Sequence, residues 1–191
     1  MKKIAILLAD GFEEIEALTP KDVLSRAGFL CELVSIKESN VVRSTHEVCV
    51  LVDKTIDTCG DFNEYDMIVL PGGMPGSKFL AESDKVIDVI RNFNNQGKFI
   101  AAICAAPALV LSKAGIASGR RVTSYPGMDN YLTDSIYVEE PVVQDGNIIT
   151  SRGPATALAF SYKLVDVLGE NHESISNGML YSYYGKNWLI E

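Results

Sequence analysis

An α/β fold, a mostly parallel sheet with helices on both faces, is what the sequence predicts, and three observations carry the prediction. Apolar runs of strand length recur along the chain. Helix-length patterns lie between several of them, with glycines where helices should stop. The runs are nearly continuous rather than alternating, as expected of strands buried on both faces of a parallel sheet.

The first run, Ile4–Ala9, is a strand. A helix follows, predicted to start at Thr19-Pro20, where a hydroxyl cap precedes a proline with its torsion already set. It passes through Val23, Leu24 and Ala27 and stops at Gly28. Cys31–Ile36 is the second run. Val41–Asp53 differs: it is rich in β-branched residues and partly alternates, which predicts a small β-hairpin excursion. Met67–Leu70 is the next strand. Asp84–Asn95 places Val86, Ile87, Val89, Ile90 and Phe93 at helical spacing. Phe99–Cys104 is a strand, Pro107–Ala114 a helix closed by Gly115, Ile148–Thr150 a strand, and Pro154–Leu168 a helix closed by Gly169.

A chain of 191 residues suits one domain, and no repeat, low-complexity tract or linker divides residues 1–191. The net charge of −8 argues against a nucleic-acid footprint, which needs a basic face. Lys2-Lys3 before Ile4–Ala9 superficially resembles a signal peptide, but the apolar run stops at Asp10. No stretch is long enough to span a bilayer, so the expected location is the cytoplasm. The cysteines are Cys31, Cys49, Cys59 and Cys104, with no C-x-x-C among them. His46 and Cys49 form an H-x-x-C pair, too few ligands for zinc, so no metal is expected. Neither the P-loop pattern nor the dinucleotide fingerprint occurs, and no cofactor is expected.

In an open parallel sheet, ligands bind beyond the carboxyl ends of the strands. Three loops of unusual composition leave such ends: "ADGFEEIEALTP", "LPGGMPGSK" and the turn at Cys104. A cysteine on a tight strand-to-helix turn, flanked by Ala102, Ala105 and Ala106, is either a packed small hydrophobe or a nucleophile held out to react. In the second case the following helix start should lower its pKa below about 8.5. Gly72 and Gly73 allow backbone conformations closed to other residues, so that N–H groups there and at Ala105 can face developing negative charge. They equally suit a plain turn. Glu13 and Glu14 fit the start of a helix, complementing its dipole. Glu16, between Ile15 and Ala17, is a carboxyl in apolar company whose raised pKa would let it carry a proton at neutral pH. No histidine adjoins Cys104; His46 or His172 would have to arrive through the fold.

Taken together, "ADGFEEIEALTPKDVLSRAG", "YDMIVLPGGMPGS", "FIAAICAAPALVL" and "ITSRGPATALAF" resemble the ThiJ/PfpI superfamily, and within it the ThiJ branch of the protein deglycases. The resemblance implies a flavodoxin-like sandwich that forms a homodimer. It implies Cys104 as the reactive residue, Glu16 as its hydrogen-bonding partner, and the N–H groups of Gly73 and Ala105 as oxyanion donors. Dimer contacts near the site would involve Ile15, Glu16, Arg26 and His46; Gly72 and Arg152 are further candidates. Tyr125 stands where some members carry a histidine. Ala105 stands where the protease-like branch has one, so peptidase activity is not expected. The implied activity is cofactor-free handling of small reactive aldehydes or dicarbonyls: glyoxalase III-type conversion of methylglyoxal to lactate, and removal of early glycation adducts. The alternative is an oxidative-stress sensor or redox-regulated chaperone working through oxidation of Cys104. The aromatic C-terminal stretch, with Tyr181, Tyr183, Tyr184 and Trp188, would cap the core or cover a subunit surface.

Overall fold

A computed structural model describes residues 1–60 and 62–181. Six strands pair in parallel with a seventh antiparallel at one edge, in the order β10-β11-β7-β6-β1-β2-β5. They are β1 (Lys3–Leu8), β2 (Leu30–Ser35), β5 (Lys54–Thr55), β6 (Met67–Leu70), β7 (Phe99–Ile103), β10 (Val142–Asp145) and β11 (Ile148–Ser151). The expected excursion is an antiparallel hairpin of β3 (Val41–Arg43) and β4 (Cys49–Leu51). A second small pair joins β8 (Arg121–Val122) and β9 (Ile136–Tyr137).

The continuous apolar strands are buried on both faces because their alternate residues feed two cores. Ala5 and Leu7 of β1 pack with Leu80, Val86, Ile90 and Phe93 on one side. Ile4, Ile6 and Leu8 pack with Val23, Leu24, Phe160 and Leu164 on the other. The first layer is built from α2 (Gly76–Glu82), α3 (Asp84–Asn95) and the chain after β7; the second from α1 (Glu14–Arg26) and α5 (Ala157–Val167). A short α6 (Glu173–Gly178) follows.

Three helix starts differ from expectation. The first helix begins at Glu14, not at Thr19-Pro20. The Glu13 carboxylate caps it by accepting from the Glu16 N–H at 2.8 Å. Pro20 then lies inside the helix, where it removes the bond that would run to the Glu16 carbonyl. The segment after Cys104 opens as a π-helical turn, Pro107–Leu111, before the short α4 (Ser112–Ala114) and the left-handed Gly115. Pro154–Thr156 is a 3-10 turn leading into α5. Strand ends shift by one residue, as at Lys3, Leu30 and Ser151.

The order places β6 and β7 on one side of β1 and β2 on the other. The loops after β1 and β6 therefore part at a switch in winding direction, where ligand crevices form. They are tied together by Glu13 N–H to Gly72 O (3.0 Å) and Gly76 N–H to Gly11 O (3.2 Å).

Candidate active site

Cys104 leaves the end of β7 with φ of +64°, a left-handed conformation that costs a non-glycine residue about 1–3 kcal/mol. Hydrogen bonds on both sides hold it there. Its N–H donates to the Ser151 carbonyl at 3.0 Å, and its own carbonyl accepts from the Tyr125 N–H at 2.8 Å. The parallel register of β7 with β11, which pairs Ile103 with Ser151, brings these groups level. The residue is partly exposed, unlike the buried Cys31 and Cys59. Of the two readings of Cys104, the geometry matches the sharp turn rather than a strand end sealed in the core.

Glu16 is fully buried on the first turn of α1. Its Oε2 accepts from the Gly72 N–H at 2.8 Å, while Oε1 has no hydrogen-bond partner. Burial pushes this carboxyl up to about 7, helped by the charge of Glu13 and opposed by the neighbouring Cys104 thiol and the Gly72 N–H. The upward shift of Glu16 agrees with the expectation in direction and in cause.

The expectation for the thiol is reversed. Burial pushes Cys104 up to about 12, and the Glu16 carboxyl adds to the shift. The N–H groups of Gly73 and Ala105 face the sulfur and pull the other way, but do not outweigh those two effects. A helix start lowers a thiol pKa when it is the dominant charge nearby; here a buried carboxyl is closer. Both shifts run upward, so the carboxyl ionises before the thiol and the resting pair keeps its proton on sulfur.

The two glycines are there for space. A Cβ on Gly72 would lie 2.4 Å from Glu16 Oε2 and 2.5 Å from Cys104 Cβ. One on Gly73, whose φ is +91°, would lie 2.5 Å from Gly11 O. Gly72 lets the loop after β6 close over the carboxyl and the sulfur, and Gly73 lets it pack on the backbone of the loop after β1.

The other candidates separate. Tyr125 joins the site through its main chain and through its ring, which lies against Gly153. Arg152 sits one residue beyond Ser151 and reaches Glu139 at 3.4 Å. Arg26 pairs with Asp22 at the far end of α1, ten residues or about 15 Å of helix from Glu16, so the fold does not bring it to the sulfur. The His46 ring lies 2.8 Å from the Glu14 carboxylate, and His172 binds Asp166 instead. Ligand atoms of Glu13, Glu14 and His46 lie within 4.8 Å of one another. Their carboxylates already accept from the Glu16 N–H and from Ser44 Oγ and His46. The Tyr181 ring meets Tyr162 edge-on at 5.0 Å, while Tyr183, Tyr184 and Trp188 lie outside the described residues.

Sequence reasoning missed two contributors. Ser44 Oγ donates to Glu14 and ties the hairpin to the start of α1. Gly153 carries the Tyr125 ring, and its only sequence signal is a glycine between Arg152 and Pro154.

Residues 2–167 match the model of the DJ-1/PfpI family. Protein dj-1beta of Drosophila melanogaster is 40% identical over 186 residues, covering 95% of this chain and 98% of that protein. A protein named as a deglycase, from Pyrococcus horikoshii, is 33% identical over 168 residues, covering 87% of this chain and 99% of its own. The solved structure of oxidized Toxoplasma gondii DJ-1 superposes with a TM-score of 0.91 at 35% identity, covering 96% of this chain and all of that one.

Proposed function

Given that the chain belongs to the DJ-1/PfpI family, we propose that it is a cofactor-independent cysteine enzyme that acts on small reactive dicarbonyls in the cytoplasm. The observation that carries the reading is the pairing of Cys104, held at φ +64°, with a buried Glu16 whose pKa lies near 7. A thiol that is hard to ionise needs a base at the moment of attack, and a carboxyl of that pKa is a matched one. Among the described residues no helix is long and apolar enough to cross a membrane.

In this reading Glu16 takes the thiol proton as sulfur bonds to the aldehyde carbon of methylglyoxal. The carbonyl electron pair moves to oxygen, opposite the N–H groups of Gly73 and Ala105. Glu16 hands the thiol proton on to that oxygen, giving a hemithioacetal and restoring its own carboxylate. Glu16 then removes the C1 proton, and the pair left behind forms a C1–C2 double bond, giving an enediol. Glu16 returns its proton to C2 while the C1 hydroxyl gives its own to solvent, leaving a thioester of lactate, and water releases lactate and the free thiol. The deglycase name borne by the Pyrococcus relative supports chemistry of this class, and early glycation adducts are a second candidate substrate.

The test is lactate formation from methylglyoxal by the wild type and by Cys104→Ser. Lactate from the wild type alone is expected. No excess over the variant would remove the enzymatic reading. One observation favours a second reading, an oxidative-stress sensor or redox-regulated chaperone: a close structural relative is described as oxidized. That reading gains if the wild type makes no lactate while Cys104 still takes up oxygen from peroxide.

We further propose a homodimer. Ile15 is 52% exposed, and it lines an apolar groove between α1 and α5 with Leu18, Leu158 and Met179.

A further inference from the structure

We propose that the Tyr125 phenol is a catalytic residue and a specificity determinant, donating a hydrogen bond to the C2 oxygen of a 1,2-dicarbonyl as the enediol forms. The inference rests on the dicarbonyl reading above and assigns a group to the one charge that reading leaves unattended. Gly73 and Ala105 face the sulfur and so serve the oxygen on C1. When Glu16 removes the C1 proton, the new C1–C2 double bond drives the C2 carbonyl pair onto the C2 oxygen, which then needs a donor of its own.

Three observations place Tyr125 there. Its N–H holds the Cys104 carbonyl at 2.8 Å, so it is anchored to the nucleophile itself. Its ring lies against Gly153: a Cβ at that glycine would be 3.4 Å from Tyr125 Cδ2 and 4.0 Å from Glu16 Oε1. The ring and the free carboxyl oxygen therefore flank the same small space. Oε1 is fully buried and unpartnered, so this space is where a reacting proton would be handed over. Finally, Tyr125 is 48% exposed, and its hydroxyl bonds no described residue, which leaves it free for a ligand. A phenol O–H is a hydrogen-bond donor. The C2 oxygen takes its proton from solvent and keeps it as the lactate hydroxyl, the C1 hydroxyl proton goes to solvent as the thioester carbonyl forms, and Glu16 carries the carbon-bound proton from C1 to C2. The site should therefore favour substrates with an oxygen on the carbon next to the aldehyde.

The experiment compares wild type with Tyr125→Phe, which keeps the ring on Gly153. Losing one donor to a developing oxyanion costs about a hundredfold or more in kcat. The expected result is a kcat for methylglyoxal lowered by at least about tenfold, with KM and the alkylation rate of Cys104 by iodoacetamide unchanged. Wild-type kcat in the variant overturns the inference and leaves the dicarbonyl reading standing. A parallel fall in kcat and in alkylation rate also overturns it, because Tyr125 would then act only by holding the loop. If the wild type makes no lactate, the dicarbonyl reading fails and this inference with it.

Discussion

A buried carboxyl beside a half-buried thiol makes each group harder to ionise than either would be in water. Both shifts in the pair run upward, to about 7 for Glu16 and about 12 for Cys104, and burial is the first cause of each. The first proton therefore leaves near neutrality and the second stays, so the reactive form is a singly protonated pair. Removing Glu16 would remove the base but leave the sulfur desolvated, and its reactivity should then rise only at higher pH. The linkage has a sign. A carboxyl raised from 4.5 to about 7 contributes stability that is fully present below pH 4.5 and lost as pH rises through about 7. Keeping Glu16 buried thus works against the fold over the same range in which it becomes a base. The left-handed Cys104 adds a strain of similar sense, and the hydrogen bonds to Ser151 and Tyr125 offset it.

At the scale of elements, the start of α1 positions the site. Glu13 caps the helix, Glu14 fastens it to the β3–β4 hairpin, and Glu16 faces the sulfur, so three acids within four residues have three different jobs. Burial works to raise Glu14, but hydrogen bonds from Ser44 and His46 outweigh it and hold the carboxyl at about 2. A depressed carboxyl contributes stability that is fully present above its ordinary value of 4.5 and lost as pH falls through about 2. Thermal unfolding followed by circular dichroism should therefore show the midpoint falling between pH 4.5 and pH 2. In Glu14→Gln the fall should be shallower over that window. An identical slope in the two proteins would mean that this contact contributes nothing to the hold on the hairpin.

Across the whole molecule, the sheet and its two cores were legible because continuous apolar strands have few other ways to be buried. Asp84–Asn95 was recovered to the residue from its apolar spacing, and the structure adds a Ser83 cap at its start. The start of α1 was not, because Thr19-Pro20 carries a stronger local start signal than Glu13 and the true cap is a glutamate. The site was legible as a set of residue types at strand ends, and four segments in register narrowed it. The direction of the Cys104 shift was not, because it depends on how deep a carboxyl from another loop is buried beside it. Arg26 stands ten positions along α1 from Glu16, so within one chain it is not beside the sulfur. The homodimer is a prediction at this scale. Sedimentation equilibrium should give twice the chain mass for the wild type and the single-chain mass for Ile15→Asp, whose charge would enter the apolar groove unpaired. A monomeric wild type at micromolar concentration would refute the assembly.

The most direct measurement on the central pair is the rate of Cys104 alkylation by iodoacetamide against pH, read by peptide mass so that the exposed Cys49 is kept apart. A midpoint near pH 7 for the wild type, moved upward by a unit or more and accompanied by slower reaction at neutral pH in Glu16→Gln, is the expected result. A wild-type midpoint near the free-thiol value of about 8.5, unchanged in Glu16→Gln, would show that the carboxyl and the sulfur do not act together.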